Sequence, residues 1–449
     1  MMGMVRPSMQ ISEDSTKNAP GKLGFWMCVA LVVGSMIGSG VFLLPASLAP
    51  LGWNSVWGWL VSIGGTLCLA YAFARMARDM AGGCGQFTYA EAAFGPGIGF
   101  VIAWSFWISV WTANATLAVA AVSNLSILWP GLATTQGLPA IVAVALIWLL
   151  TLINCLGVRT AGGVQVVTTV LKLIPLAGAI MVAIWGLSTG TVIASPQPVT
   201  TTGISAAATL TLFAMLGFES ALAAGDRIEN PERNIPRAVL MGTAITGLIY
   251  LLACSAVTLL LPPDELARSN APFALFFSVM VSPALGGIVA LFAAIAALGA
   301  LNGYVLTQGE MLLALARRDL FPRWFASQNR YDVPHRIHYL SSGLASIVVL
   351  SNYTRGLSDL FLFMVLVTTS VTIIFYLAGA LASFKLVRSG RIGASAGFEA
   401  IAVIAAIYSV WAFYGAGLEA SIWSLGMTAV GLPIYWFMTR SPPAEQPAE

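Results

Sequence analysis

Glycine and serine occupy positions 34, 35, 38, 39 and 40 in "GSMIGSGVFLLP" (residues 34–45), inside an apolar run from about Leu23 to Leu48. Two charged residues have comparably apolar surroundings: Glu219 in "LFAMLGFES" (212–220) and Lys172 in "VTTVLKLIPLAG" (167–178). Opening a helix at small residues frees backbone donors, and the amides of Ser39, Gly40 and Val41 at the start of the second half could hold a carboxylate. An acid or amine placed in apolar surroundings is a candidate for proton exchange, because burial disfavours its charged form. A second reading of the glycines needs no ligand: Gly34 and Gly38, four apart, would let another helix pack closely.

These groups must be held by membrane helices. The 449-residue chain is 58% hydrophobic and 9% charged, with mean hydropathy +0.86, outside the range of a soluble domain. Its apolar runs are long enough to span a bilayer as helices, so the fold is expected to be all-α, not an outer-membrane barrel. Twelve such segments are expected. With the N-terminus inside, all but three of the twenty-one basic residues fall on the inner face, the exceptions being Arg268, Arg355 and the intramembrane Lys172. Both termini are therefore expected to be cytoplasmic. The polar first 20 residues do not read as a cleavable signal.

The five cysteines have no metal-ligand or disulfide-framework spacing, and His335 and His338 have no Cys or Glu partners, so neither a metal nor another cofactor is expected. "ENPERNIPRA" (229–238) reads as a charged surface loop between the sixth and seventh segments. The first and sixth segments, both interrupted near a glycine, lie five apart and so run in opposite directions, as inverted five-helix repeats require. A substrate site is expected between them.

The order and spacing of "GSMIGSGVFLLP", "FGPGIGF" (94–100), "LGFES" (216–220) and "NPERNIPRA" (230–238) resemble the amino acid–polyamine–organocation superfamily over nearly the whole chain, most clearly its bacterial arginine/agmatine and basic amino acid/polyamine antiporters. The resemblance implies twelve transmembrane helices with discontinuous helices 1 and 6. They divide into a tail (1–22), a first five-helix repeat (23–188), an inverted second repeat (204–385), two extra helices (396–438) and a tail (439–449). It places the substrate carboxylate at Gly38, Ser39 and Gly40, and the ammonium at carbonyls around Met36, Phe213 and Leu216. It makes Phe213 an aromatic gate, puts Tyr304 beneath the substrate, and sets Asn114, with Ser109 and Val110 before it, toward the substrate's side chain. Asn114 could instead bond another helix.

Departures from the antiporter pattern leave the substrate open. Phe213 and Tyr304 stand where the arginine/agmatine antiporter has tryptophans, and Lys172 resembles the lysine of proton-coupled permeases and exchangers. Lys172 and Glu219 are the candidates for proton coupling and gating, against purely structural roles as a tether and as a hydrogen-bond partner of the first break. The reading is an alternating-access exchanger of basic amino acids or polyamines, with exchange or proton-coupled transport of neutral amino acids as the alternative. An enzyme is disfavoured because no nucleophile and base converge in the membrane, and a channel because interrupted helices favour a carrier. The partners called for are a small amino acid or polyamine and the bilayer of a bacterial inner membrane, with no nucleic acid; oligomeric state, a homodimer included, is left open.

Overall fold

The structure is a computed structural model. It describes residues 24–80, 86–157, 161–188, 197–219, 222, 228–317, 321–352 and 354–440. The described elements are overwhelmingly α-helical, as the apolar runs require: in hydrocarbon a helix satisfies its own backbone. Seven described helices are long and apolar enough to cross a membrane.

The first apolar run folds as α1 (Phe25–Met36), a short 3-10 turn (Ser39–Phe42) and α2 (Leu44–Leu48). Next come α3 (Asn54–Asp79), α4 (Gln86–Phe94), α5 (Pro96–Leu125), α6 (Gly131–Thr134), α7 (Leu138–Cys155) and α8 (Ala161–Ser188). The sixth run supplies α9 (Thr201–Ala214), which stops well short of a full span. It is followed by α10 (Pro231–Leu260), α11 (Pro263–Ala267), α12 (Pro272–Met280), α13 (Pro283–Arg317), α14 (His335–Ser351), α15 (Leu357–Arg388), α16 (Ala396–Gly415) and α17 (Gly417–Arg440).

"ENPERNIPRA" departs from the loop expected of it. Asn230 takes a left-handed turn at φ 43°, and α10 begins at the next residue. Pro231 is tolerated there because the first helical position has no intrahelical use for an N–H. Short helices also replace expected loop, notably α4 before the third span and α11 and α12 between the seventh and eighth. Ser220, Arg159, Arg227, Arg318, Cys84 and the tails at 1–22 and 441–449 lie outside the described residues.

Helix α5 is buried along almost its whole length, and α13 and α15 pack against it. Helix α3 is lodged between α9 and α10, and α1 lies on α10. By contrast α7 and α16 present mostly exposed apolar faces, as expected for helices in contact with lipid. The core is therefore built around α3, α5, α10, α13 and α15, and the interrupted elements α1–α2 and α9 lean on it.

Candidate substrate site

The first break begins where α1 ends at Met36. Ile37 leaves helical geometry and Gly38 is extended, at φ −83° and ψ 173°, before the chain re-enters a 3-10 turn at Ser39. The amides of Ser39 and Gly40 open that turn ahead of its first i→i+3 donor, Val41, so they form a small group of donors at a helical start. Beside Gly38 a methyl group would have room, the nearest side-chain atom being Leu117 Cδ2 at 3.9 Å. That spacing does not need glycine for helix packing, which weighs against the close-contact reading of Gly38.

The second break follows Ala214. Met215 donates to the Leu212 carbonyl and Leu216 to the Phe213 carbonyl, so the α-helical ladder gives way to tighter turns. Gly217 then adopts φ +105°, and a Cβ there would stand 2.9 Å from the Ser35 carbonyl oxygen. Only glycine meets both demands, because an L side chain is strained at that φ and the space belongs to the other break. The two interruptions thus touch each other.

Two hydroxyls and one carboxylate tie the junction together. The Tyr250 hydroxyl, from α10, donates to the Met36 carbonyl at 2.9 Å, and the Gly38 amide donates to the same oxygen at 2.7 Å. Glu219 Oε2 accepts from the Gly217 amide at 3.2 Å and from the Tyr376 hydroxyl, on α15, at 3.0 Å. The carboxylate therefore holds the backbone of its own break in shape and links it to α15.

Between the breaks is a cavity of about 40 Å³. Met36, Gly38, Gly40, Phe213, Leu216 and Tyr304 line it, so six of the residues singled out from sequence meet around one cavity. Ala113 and Leu117 of α5 and Tyr250 of α10 complete much of the rest. No carboxylate or amine is among the lining residues; a ligand here would meet amides, carbonyls and aromatic rings. The Phe213 ring lies directly on Gly40, leaving no space for a Cβ, and meets the Phe361 ring of α15 edge-on at 6.4 Å. A 40 Å³ cavity holds roughly three waters. The contact of the Phe213 ring with Gly40 forms part of the cavity's lining.

Five other singled-out residues lie off the cavity wall. Ser109 donates to the Phe106 carbonyl, and Val110 is buried beside it. Asn114 Nδ2 donates to Gln308 Oε1 at 3.0 Å across α5 and α13. Glu219 sits behind the wall in the bonds described above. Lys172 is buried in α8, 1% exposed, with no hydrogen bond or ion pair among the described residues. For Ser39 only the backbone is described.

Tyr250, Tyr376, Phe361 and Gln308 were not among the residues singled out from sequence. A signal existed, since a tyrosine or glutamine in an apolar span needs a polar partner. Nothing in sequence spacing says which partner.

Two interrupted helices meeting around a buried cavity, inside an all-helical membrane bundle, are the architecture of a carrier. The chain belongs to the amino acid permease family, whose profile matches residues 23–439. It is 30% identical over 426 residues to the putrescine transporter PotE of Escherichia coli, covering 92% of this chain and 95% of that one. The Haemophilus influenzae putrescine transporter PotE is also 30% identical, over 93% and 97% of the two chains. The cadaverine/lysine antiporter of Escherichia coli is 31% identical over 349 residues, 76% of this chain and 78% of the relative.

Proposed function

We propose that this protein exchanges basic amino acids and polyamines across a bacterial inner membrane by alternating access. The observation that carries the proposal is the apposition of the two breaks around a cavity, in a chain similar over most of its length to a putrescine transporter and a cadaverine/lysine antiporter. An amino acid's carboxylate is held by the amides of Ser39 and Gly40, where the helix start favours negative charge. Its ammonium meets carbonyls at the breaks. The Met36 carbonyl already accepts two donors, so an ammonium reaching it takes the place of Tyr250. A diamine has no carboxylate and leans instead on the faces of Phe213 and Tyr304.

The five-plus-five repeat is supported by the helix pairings. Helix α1 packs on α10 as α9 packs on α3, and α5 packs on α15 as α13 packs on α8. Helices α3 with α10, α5 with α13 and α7 with α14 pair across the two halves. These are the relations expected when 23–188 and 204–385 are structurally equivalent, with 396–438 added outside. Both termini are cytoplasmic on the distribution of basic residues.

Exchange of neutral amino acids is the second reading, favoured by the uncharged cavity wall and by a buried lysine near the bundle core. Proteoliposomes separate the two. Vesicles loaded with unlabelled putrescine, cadaverine, agmatine, lysine or arginine should take up labelled lysine or arginine. The proposal is lost if a neutral amino acid inside drives that uptake and none of the basic compounds does. Lys172 is the proton-coupling residue on this reading, with Glu219 holding the gate. Lys172→Ala should flatten the dependence of exchange on pH, and wild-type rates at every pH would remove the role.

A further inference from the structure

The stretch from Arg317 to Arg336, which joins α13 to α14, carries five arginines against two aspartates. Its second half folds around Asn329, whose side chain donates to the Cys155 carbonyl at the end of α7 at 2.8 Å and accepts from the Tyr331 and Val333 amides at 2.9 and 3.1 Å. Held in this way, the loop sets its arginines against neutral partners. Arg330 lies over the Tyr331 ring at 4.7 Å, Arg336 lies over the Trp324 ring at 5.3 Å, and Arg317 donates to Gln328 Oε1 at 2.9 Å. Ion pairs among the described residues lie elsewhere, at Arg75, Arg78 and Arg355, so no described carboxylate neutralises these three, the loop's own Asp332 included. Orienting the chain needs only positive charge on this side; it needs neither a pinned loop nor rings beside the guanidiniums.

The surroundings of the loop define what would complete it. Trp324 and Tyr331 are half-exposed, and amphipathic rings of this kind settle at the headgroup level of a bilayer. Tyr331 packs on Gly157, just past the end of α7, and Tyr339 of α14 stacks on Trp148 of α7 at 6.2 Å. From there the two helices run on as an exposed apolar face, with Leu149, Leu152 and Leu156 in one row and Leu340 and Ile347 in the other. Arg336 is one turn before Leu340 in the same row, so charge and apolar surface are continuous. Gly343, between Leu340 and Ile347, has nothing within 4 Å of where a Cβ would stand and leaves a dip in that row.

We infer that the loop between α13 and α14, with the α7–α14 face beneath it, is a binding site for an acidic phospholipid of the cytoplasmic leaflet. Its arginines hold the phosphate, for which the planar guanidinium fork is suited, and the acyl chains follow the apolar rows past Gly343. The site is separate from the substrate cavity but shares a helix with it: α13 lines the cavity through Tyr304 and ends in this loop at Arg317. A lipid seated here steadies the cytoplasmic end of that helix.

Thermal unfolding of the purified full-length protein in neutral detergent tests the site. Phosphatidylglycerol should raise the melting temperature at concentrations where phosphatidylcholine with the same chains does not. Arg330→Gln combined with Arg336→Gln should shift the phosphatidylglycerol dependence to roughly 25-fold higher concentration, about fivefold for each basic residue removed. Lys385→Gln combined with Arg388→Gln takes the same charge from the end of α15 and should leave that dependence unchanged. Equal losses in the two double variants would reduce the effect to net charge and overturn the site, as would an equal response to phosphatidylcholine. Glycerol phosphate has the anionic group without the chains, and a shift from it as large as from the lipid would make the loop a site for soluble phosphates instead. If the arginine pair does not fold, Arg336→Gln alone should weaken the dependence about fivefold, and an unchanged dependence overturns the inference.

Discussion

Glycine at 217 answers two separate constraints, a backbone turned to φ +105° and the Ser35 carbonyl 2.9 Å from where a Cβ would be. Gly217→Ala must distort one break or the other, at a cost of about 1–3 kcal/mol. The expected outcome is a lower melting temperature in detergent together with lost exchange; an alanine variant unchanged in both measurements would show that the breaks tolerate separation. Tyr376 contributes differently. Its ring packs against Phe73 and Phe218, and its hydroxyl donates to Glu219. Tyr376→Phe keeps the ring and leaves Glu219 one donor short, so stability should fall by about 1 kcal/mol and the exchange rate roughly fivefold, the worth of one net hydrogen bond. Equal rates for the two proteins would mean that the bond is not used in the transport cycle.

Helix ends matter here more than helices. The 3-10 turn at Ser39–Phe42 and the end of α9 at Ala214 are short, irregular and joined through the contact of Phe213 with Gly40. Because that contact leaves no room for a methyl, Gly40→Ala should push the Phe213 ring aside and slow exchange strongly. Phe213→Ala made in the same protein should recover part of the loss, since the steric conflict disappears. The pair should therefore be non-additive in a double-mutant cycle of exchange rates, and additive losses would argue that the two residues act separately. Irregular backbone at membrane depth is tolerated at these ends because it is buried in protein: Tyr250, Glu219 and Tyr376 supply the partners that lipid cannot.

Alternating access in the whole bundle requires one group of helices to move against another. The pairings divide naturally into α1, α3, α9 and α10 on one side and α5, α8, α13 and α15 on the other, with the cavity between them. Phe213 bridges the groups through Phe361, and Glu219 bridges them through Tyr376. Relative motion must break both links. The direction of the motion depends on orientation, which labelling can establish. In a cysteine-free background, Arg330→Cys should react with a membrane-impermeant thiol reagent only in inverted vesicles, and Arg268→Cys only in right-side-out cells. The reverse pattern would place the termini outside.

Much of this protein follows from local sequence. Apolar runs of spanning length dictate helices, because lipid offers no hydrogen bonds to an open backbone. The breaks are legible at Gly38, Gly40 and Gly217, since small residues mark where a helix can open. Glu219 and Lys172 stand out because ionised groups are unfavourable at that depth. The start of α10 at Pro231 was less legible, as proline and mixed charges suit a surface loop and a first helical turn equally. What local sequence leaves undetermined is pairing. Asn114 meets Gln308 across 194 residues, Glu219 meets Tyr376 across 157, and Tyr250 reaches Met36 across 214. Each amide or hydroxyl announces that it needs a partner in an apolar span, and the packing of α5, α10, α13 and α15 alone decides which partner it finds, because hydrogen bonds demand contact distances that sequence separation does not encode.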